Sequence, residues 1–290
     1  NECGLFARLD KTKRAPLPER EKAPEPSDPL NSAEIPEPKD DIPAKKNSFG
    51  WPHFHPKRGP KGTVQNFNHL LNKAGITMKY DLIKKDITID IPNSKYLIDT
   101  EKNDKLATLT SLAIQYELSS NNIGDYVGLI AAMNPFNPVA QWIGSKPWDG
   151  ISRLGDFYNT VTCSEDKRAL KETLMKRWMI SAVAAAFEPN GVSAHGVLVF
   201  TGPQYIGKTN WFRNLAPKSL GVLRDGMMLD PTDKDSVYQV LSNWIVELGE
   251  VDSTFRKADI AQLKAFLTKD KDTIRLPYRR EPASFARRTV

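Results

Sequence analysis

Eight residues, Gly202-Pro203-Gln204-Tyr205-Ile206-Gly207-Lys208-Thr209, constrain this chain more than any other stretch. They follow Val197-Leu198-Val199-Phe200, a short apolar run of the kind that forms a buried parallel strand. A helical pattern with Trp211, Phe212 and Leu215 comes next. Strand, glycine-bounded loop and helix together are the context in which G-x-x-x-x-G-K-[ST] cradles phosphates. Gly202 and Gly207 let the backbone wrap until several N–H groups face one point, and the helix adds its positive N-terminal end. Lys208 is placed to reach the β- and γ-phosphates of ATP, and Thr209 to offer a hydroxyl to the phosphate-bound Mg²⁺. The sequence thus predicts an ATP-binding segment over Gly202, Pro203, Gln204, Tyr205, Ile206, Gly207, Lys208, Thr209 and Asn210, with Lys208 catalytic. The plainer reading is a glycine turn carrying a surface lysine.

Such a loop also needs an acid at the end of a neighbouring strand, to hold the Mg²⁺ water shell and orient the attacking water. Trp244-Ile245-Val246-Glu247-Leu248-Gly249-Glu250 supplies a short apolar strand with Glu247 near its carboxyl end, where open α/β sheets keep their ligands. Glu247 is the candidate metal partner beside Thr209, and both Glu247 and Glu250 are candidate catalytic carboxylates. Solvated loop acids are the alternative for both.

Composition divides the rest. Eleven of the 21 prolines lie between Pro16 and Pro60, among Lys, Glu and Asp, with no helical or alternating apolar period. Residues 1–60 therefore read as a disordered tether, order beginning near Trp51 to Thr63. His53 and His55 flank Phe54, but no further ligand type lies close in sequence, so metal binding there is the minor reading. A helix from Val64 carries Phe67, Leu70 and Leu71 and breaks at Gly75. A half-buried strand alternates Ile87, Ile89 and Ile91. Two helices follow, one with Leu106, Leu109, Leu112, Ala113 and Tyr116, the other with Ile123, Tyr126, Ile130 and Ala131 behind an Asn121 or Asn122 cap. These elements make residues 61–160 a small, mostly helical α+β domain. Residues 161–290 open with a helix over about Lys167–Phe187 whose stripe is Leu170, Leu174, Trp178 and Val183, and hold the loop.

Charge narrows the partners. The chain carries a formal +6, and from Arg256 onward ten basic residues face only four acidic ones, so this segment accounts for the whole excess. Such a tail suits nucleic-acid phosphates. No apolar run approaches the roughly 18 residues of a membrane span, so no membrane partner is expected. No signal peptide is visible, and Cys3 and Cys163 read as free thiols of a reducing cytoplasm. The first residue is Asn, which suggests a processed chain or an excised fragment.

Several strings together resemble the virulence-associated protein E (VapE) family: FNPVAQWIGSKPWDGISRL (136–154), Lys176-Arg177-Trp178, VLVFTGPQYIGKTNWFRNL, IVELGEVDSTFRKADIAQLKAFLTKDKDTIRLPYRR and the final FARRTV. The resemblance covers about residues 130–290 and implies an α/β P-loop ATPase core, a parallel sheet flanked by helices, similar to primase-linked superfamily III helicases of phages, plasmids and genomic islands. It makes Gly202–Thr209 the nucleotide loop and Glu247 with Glu250 the acids of the second nucleotide motif. It turns Lys264, Lys271, Arg275, Tyr278, Arg279 and Arg280 toward single-stranded nucleic acid, DNA first. It also implies a homo-oligomeric ring, an upstream primase domain, a bacterial host cytoplasm and a chain stopping before the sensor strand. Trp148, Asp149 and Arg153 read as a buried tryptophan with an acid–base pair at a domain junction. Tyr205 replaces the small residue usual in related loops, where its ring would narrow the approach to the phosphates. Two alternatives remain open, a P-loop small-molecule kinase and a catalytically weak nucleotide-dependent binding module.

Overall fold

The structure, a computed structural model, describes residues 44–194, 196–249, 257–274 and 281–290. It is a mixed α/β protein with small sheets, one of them parallel. Chain order begins with hairpin β1 (Phe54–His55) and β2 (Gly59–Pro60), then α1 (Val64–Lys73), β3 (Thr77–Asp81) and β4 (Asp86–Asp90). There follow α2 (Glu101–Gln115), α3 (Ile123–Ala132), β5 (Pro135–Phe136), α4 (Pro138–Ile143), α5 (Leu154–Asn159) and α6 (Arg168–Phe187). The last part holds α7 (Lys208–Arg213), β6 (Leu223–Met227), α8 (Lys234–Leu241), β7 (Ile245–Leu248), α9 (Lys257–Leu267), β8 (Lys271–Ile274) and β9 (Ala283–Ala286). Among the described residues no helix is long and apolar enough to cross a membrane.

The first core forms where the 3.6-residue period places it. Thr63 caps α1 by accepting from the Asn66 N–H, and α1 buries Phe67, Leu70 and Leu71 against Leu109 and Ala113 of α2 and Val127, Ile130 and Ala131 of α3. The antiparallel β3–β4 pair, extended by β5 parallel to β3, covers this core with Ile87 and Ile89. The segment before α1 is tied to the first core. Trp51 is buried, and the Asn66 side chain, wholly buried itself, accepts from His53 N–H and donates to the carbonyls of His53 and Lys61. One satisfied buried amide thus pins residues 51–61 onto α1, an effect composition does not register. His53 and His55 serve the same turn: His53 Nδ1 lies 3.1 Å from Thr63 Oγ1, and His55 Nδ1 accepts from the Lys57 and Arg58 amides.

The second core joins Ile83, Val139, Trp178, Ala182, Ala185, Ala186, Ala216, Val222, Trp244 and Ile245. Two sequence expectations are corrected here. On α6 only Trp178 of the expected stripe is buried; Leu170, Leu174 and Val183 face solvent, while Met175, Ala182, Ala185 and Ala186 face inward. Small residues win because the helix approaches closely enough for Trp244 Nε1 to donate to its Ala182 carbonyl at 2.8 Å. Residues 197–200, expected as a buried strand, pair with no described strand, and Val197 and Val199 are 49% and 62% exposed. Leu198 still packs on the second core, and Phe200 lies 4.9 Å from the Trp211 ring and 5.1 Å from that of Phe212, so the segment is one-sided.

The parallel pair β6–β7 aligns Leu223 with Ile245 and Arg224 with Val246. On the opposite edge of β7, the Val290 N–H donates to Trp244 O and its carbonyl accepts from Val246 N–H, the pattern of one parallel rung. A third core gathers Met227, Leu229, Val237, Val240, Leu241, Phe266 and Ile274 beneath hairpin β8–β9. Trp148 is a third correction. It is 79% exposed, and its indole only reaches the Ile151 carbonyl, although the Asp149–Arg153 pair forms as expected.

Candidate functional site

The loop after Phe200 is built by residues that tolerate positive φ. Gly202 adopts φ +145° and Gly207, which starts α7, φ +91°. A Cβ at Gly202 would meet Ile206 Cδ1 at 3.0 Å. Tyr205 also sits at positive φ (+64°), a conformation costing a side-chain-bearing residue about 1–2 kcal/mol. Its ring is wholly exposed, so it points away from the loop rather than narrowing it. Pro203, Gln204, Ile206 and Asn210 are exposed as well. The α7 helix is fixed from behind: Trp211 and Phe212 pack on the second core, and Trp211 Nε1 donates to Thr160 Oγ1 at 2.7 Å.

Lys208 turns back over the loop, its ammonium donating to the carbonyls of Gly202 at 2.8 Å and Pro203 at 2.7 Å. The neighbouring Thr209 looks the other way. Its hydroxyl donates to Glu247 Oε1 at 2.5 Å, across 38 residues of chain. Glu247 is the third residue of β7, so the parallel ladder delivers it to the carboxyl end of the strand beside the loop. Its second oxygen accepts from the Gly226 N–H at 3.2 Å. Gly226 is accessible to this bond because β6 loses register between Arg224 and Met227, where Gly226 takes φ +63°. A carboxylate holding a hydroxyl with one oxygen and an amide with the other is fixed in orientation, while the pair stays partly open to solvent.

Next to this pair, Arg213 of α7 binds Asp225 of β6, Nε to Oδ2 at 3.0 Å, and the guanidinium holds that carboxyl below the usual range. Sequence reading missed both Asp225 and Gly226. The Asp225-Gly226 dipeptide within a short strand pattern was the available sign, since a glycine there commonly marks a bulge.

The basic segment divides. Lys264 and Lys271 are exposed. Glu250, Arg275, Tyr278, Arg279 and Arg280 lie outside the described residues, the last four in the stretch joining β8 to β9. Arg287 and Arg288, counted in the basic excess, are buried at 2% and 7% exposure. Arg287 Nε donates to the buried Asp272 at 3.0 Å, and Arg287 Nη1 donates to the Phe266 carbonyl. Arg288 donates to the carbonyls of Ala186, Glu188 and Pro189, and burial lowers its pKa. Both arginines are structural cations, and the free positive surface is correspondingly smaller than the sequence count.

The family model of the virulence-associated protein E-like domain matches residues 143–290, slightly more than half of the chain. The chain belongs to the VapE-like family. Every described residue of the loop and of its carboxylate partner falls inside the VapE-like match, as do β6 to β9. The first core falls outside it. No curated protein matches the chain.

Proposed function

We propose that this VapE-like protein is an ATP-binding helicase or translocase module acting in replication of a phage, plasmid or genomic island. Membership of the family supports a replication-associated role for a mobile element. The observation that carries the nucleotide reading is the Thr209–Glu247 contact at 2.5 Å, which brings a hydroxyl and a carboxylate from distant segments to one point beside a doubly glycine-hinged loop. Magnesium takes one or two protein oxygens together with phosphate oxygens and water, so this pair fits its needs. Bound Mg²⁺–ATP would bring a cleavable phosphoanhydride polarised by the metal. The chain's own part is to bind and orient it. Lys208, now held by two carbonyls, exchanges them for phosphate oxygens; Thr209 and Glu247 supply the metal-side oxygens, with Glu250 as a second carboxylate for a water. Of the remaining loop residues, Gly202, Gln204, Tyr205, Ile206, Gly207 and Asn210 offer backbone amides, while Pro203, which has no N–H, shapes the turn.

In this reading Lys264, Lys271, Arg275, Tyr278, Arg279 and Arg280 engage single-stranded DNA, cations on phosphates and Tyr278 stacked on a base. A homo-oligomeric ring, a primase domain upstream of the tether and a bacterial cytoplasmic location complete it. Steady-state ATP hydrolysis with and without single-stranded DNA tests the proposal. Stimulation by DNA that Lys208→Ala abolishes is the expected outcome. Turnover stimulated by a metabolite instead, or equal in Lys208→Ala, overturns it.

A further inference from the structure

The turn joining β3 to β4 reaches out of the first core into the family-matched part of the chain. Ile83 of this turn is fully buried in the second core with Trp178 and Trp244. The Asp81 carboxylate holds the turn's shape by accepting from the Ile83 and Lys84 amides at 2.8 and 2.9 Å. Lys85 stands at φ +55°, 3% exposed, and its ammonium donates to the Leu241 carbonyl at 2.6 Å. A second, longer contact runs to its own turn's Ile83 carbonyl at 3.5 Å.

Leu241 is the last residue of α8, and the last four carbonyls of any helix lack partners within it. Here each finds one elsewhere. Tyr238 O accepts from the Ser242 N–H, and Gln239 O from the Asn243 side-chain amide. Val240 O accepts from the Asn243 N–H and the Thr289 hydroxyl. Leu241 O accepts from Lys85, and Leu241 is wholly buried. A cation at that end also opposes the helix dipole. Two residues on, Asn243 O accepts from Thr289 at 2.7 Å and Trp244 begins the run into β7, whose third residue is Glu247. The joint between α8 and the Glu247 strand is therefore clamped from two sides, by Thr289 and by Lys85.

We propose that Lys85, carried on the β3–β4 turn outside the family-matched region, is a positioning residue that clamps the α8–β7 joint and so sets Glu247 against Thr209. The structural half of this stands on the contacts above, and its effect on nucleotide rests on the ATP reading of the loop. The first core is then a working part of the nucleotide half, joined to it through the β3–β4 turn as well as through the β5–α4 connection, where the Asn137 side chain donates to the Ala186 carbonyl.

Two substitutions separate the donor from the fold. Lys85→Met keeps length and removes the donor, leaving the Leu241 carbonyl buried and unpartnered; Lys85→Gln keeps a neutral donor on a shorter stem. Hydrogen exchange over Trp244–Leu248 reads the clamp directly. Lys85→Met should speed exchange there about tenfold, with α3 unchanged, since an orphaned buried carbonyl costs of that order. Lys85→Gln should fall between. Calorimetric titration with ATP reads the consequence. In Lys85→Met affinity should drop about tenfold with Mg²⁺ and stay within about twofold in EDTA, because only the metal-side oxygens are displaced. A folded Lys85→Met with wild-type exchange in β7 overturns the clamp. If Lys85→Met does not fold, Lys85→Gln decides: wild-type exchange overturns, intermediate exchange supports. Altered exchange with unaltered Mg²⁺-dependent affinity overturns the positioning role. A wild type and Lys208→Ala that bind ATP equally overturn the nucleotide reading instead, and the exchange result still judges the clamp.

Discussion

Lys208 and Lys85 make the same pair of bonds, each donating to two main-chain carbonyls, in opposite surroundings. Lys208 holds Gly202 and Pro203 across a loop whose carbonyls stand in solvent. Lys85 holds Leu241 and Ile83 inside the protein, beside Asp272, Arg287 and Arg288. Water or an anion can replace the loop carbonyls around Lys208, so its bonds are exchangeable. Among the described residues Lys85 is the donor that meets the buried Leu241 carbonyl, so that bond fixes structure. The glycine loop is suited to release and rebind, and the buried junction to hold geometry.

The sharpest way to break this contrast is to damage the junction. Asp272→Asn leaves Arg287 a buried cation without its carboxylate, which costs about 3–5 kcal/mol and should lower the melting temperature by about 10 °C. A thermal scan showing a drop of only a degree or two would mean the pair is dispensable. Next in size is the loop. Lys208→Ala should lose about 100-fold in ATP affinity by calorimetry, the value of a charge-assisted contact to phosphate, while its melting temperature barely moves. A large fall in stability would place Lys208 with the structural lysine and erase the distinction.

Acidity offers a third probe. Burial, with help from Arg288 and Arg287 and against the pull of Asp272 and Asp81, lowers the Lys85 pKa from 10.5 to about 8. Between those values the unfolded chain binds a proton that the folded one does not, so this group makes stability rise as pH climbs from about 8 to 10.5. Denaturant titrations across that window should show the rise in wild type and less of it in Lys85→Met; parallel profiles would refute the buried cation. The smallest effect belongs to Tyr205. Tyr205→Gly relieves positive-φ strain while adding freedom to the unfolded chain, so a gain below about 1 kcal/mol is expected. A loss would show that the exposed ring makes a stabilising contact.

What was readable beforehand follows the range of the interactions. The α1 helix, strand β4, the glycine loop with α7, and Glu247 on β7 are set by local periodicity and turn chemistry, and they lie where the sequence places them. On α6 the expected stripe sets Leu170, Leu174 and Val183 inward because they outweigh Ala182, Ala185 and Ala186 on any hydrophobicity count. The close approach that selects alanine depends on Trp244, more than 50 residues away. The apolar run 197–200 carries a strand's composition without a strand's partner. Arg287 and Arg288 count toward the basic excess in sequence because their partners, Asp272 and the carbonyls of Ala186, Glu188 and Pro189, are distant in sequence or uncharged. Charge counting registers only the sign of a residue, and burial depends on contacts it does not contain.

The central claim is that Thr209 and Glu247 meet in order to share a nucleotide-bound magnesium ion. ATP affinity measured with Mg²⁺ and with EDTA, for wild type, Thr209→Val and Glu247→Gln, tests it most directly. The account predicts that magnesium strengthens binding to the wild type by at least about tenfold and that each substitution removes most of that gain, leaving EDTA affinity close to wild type. A magnesium gain equal in all three proteins, or absent from the wild type, would contradict it.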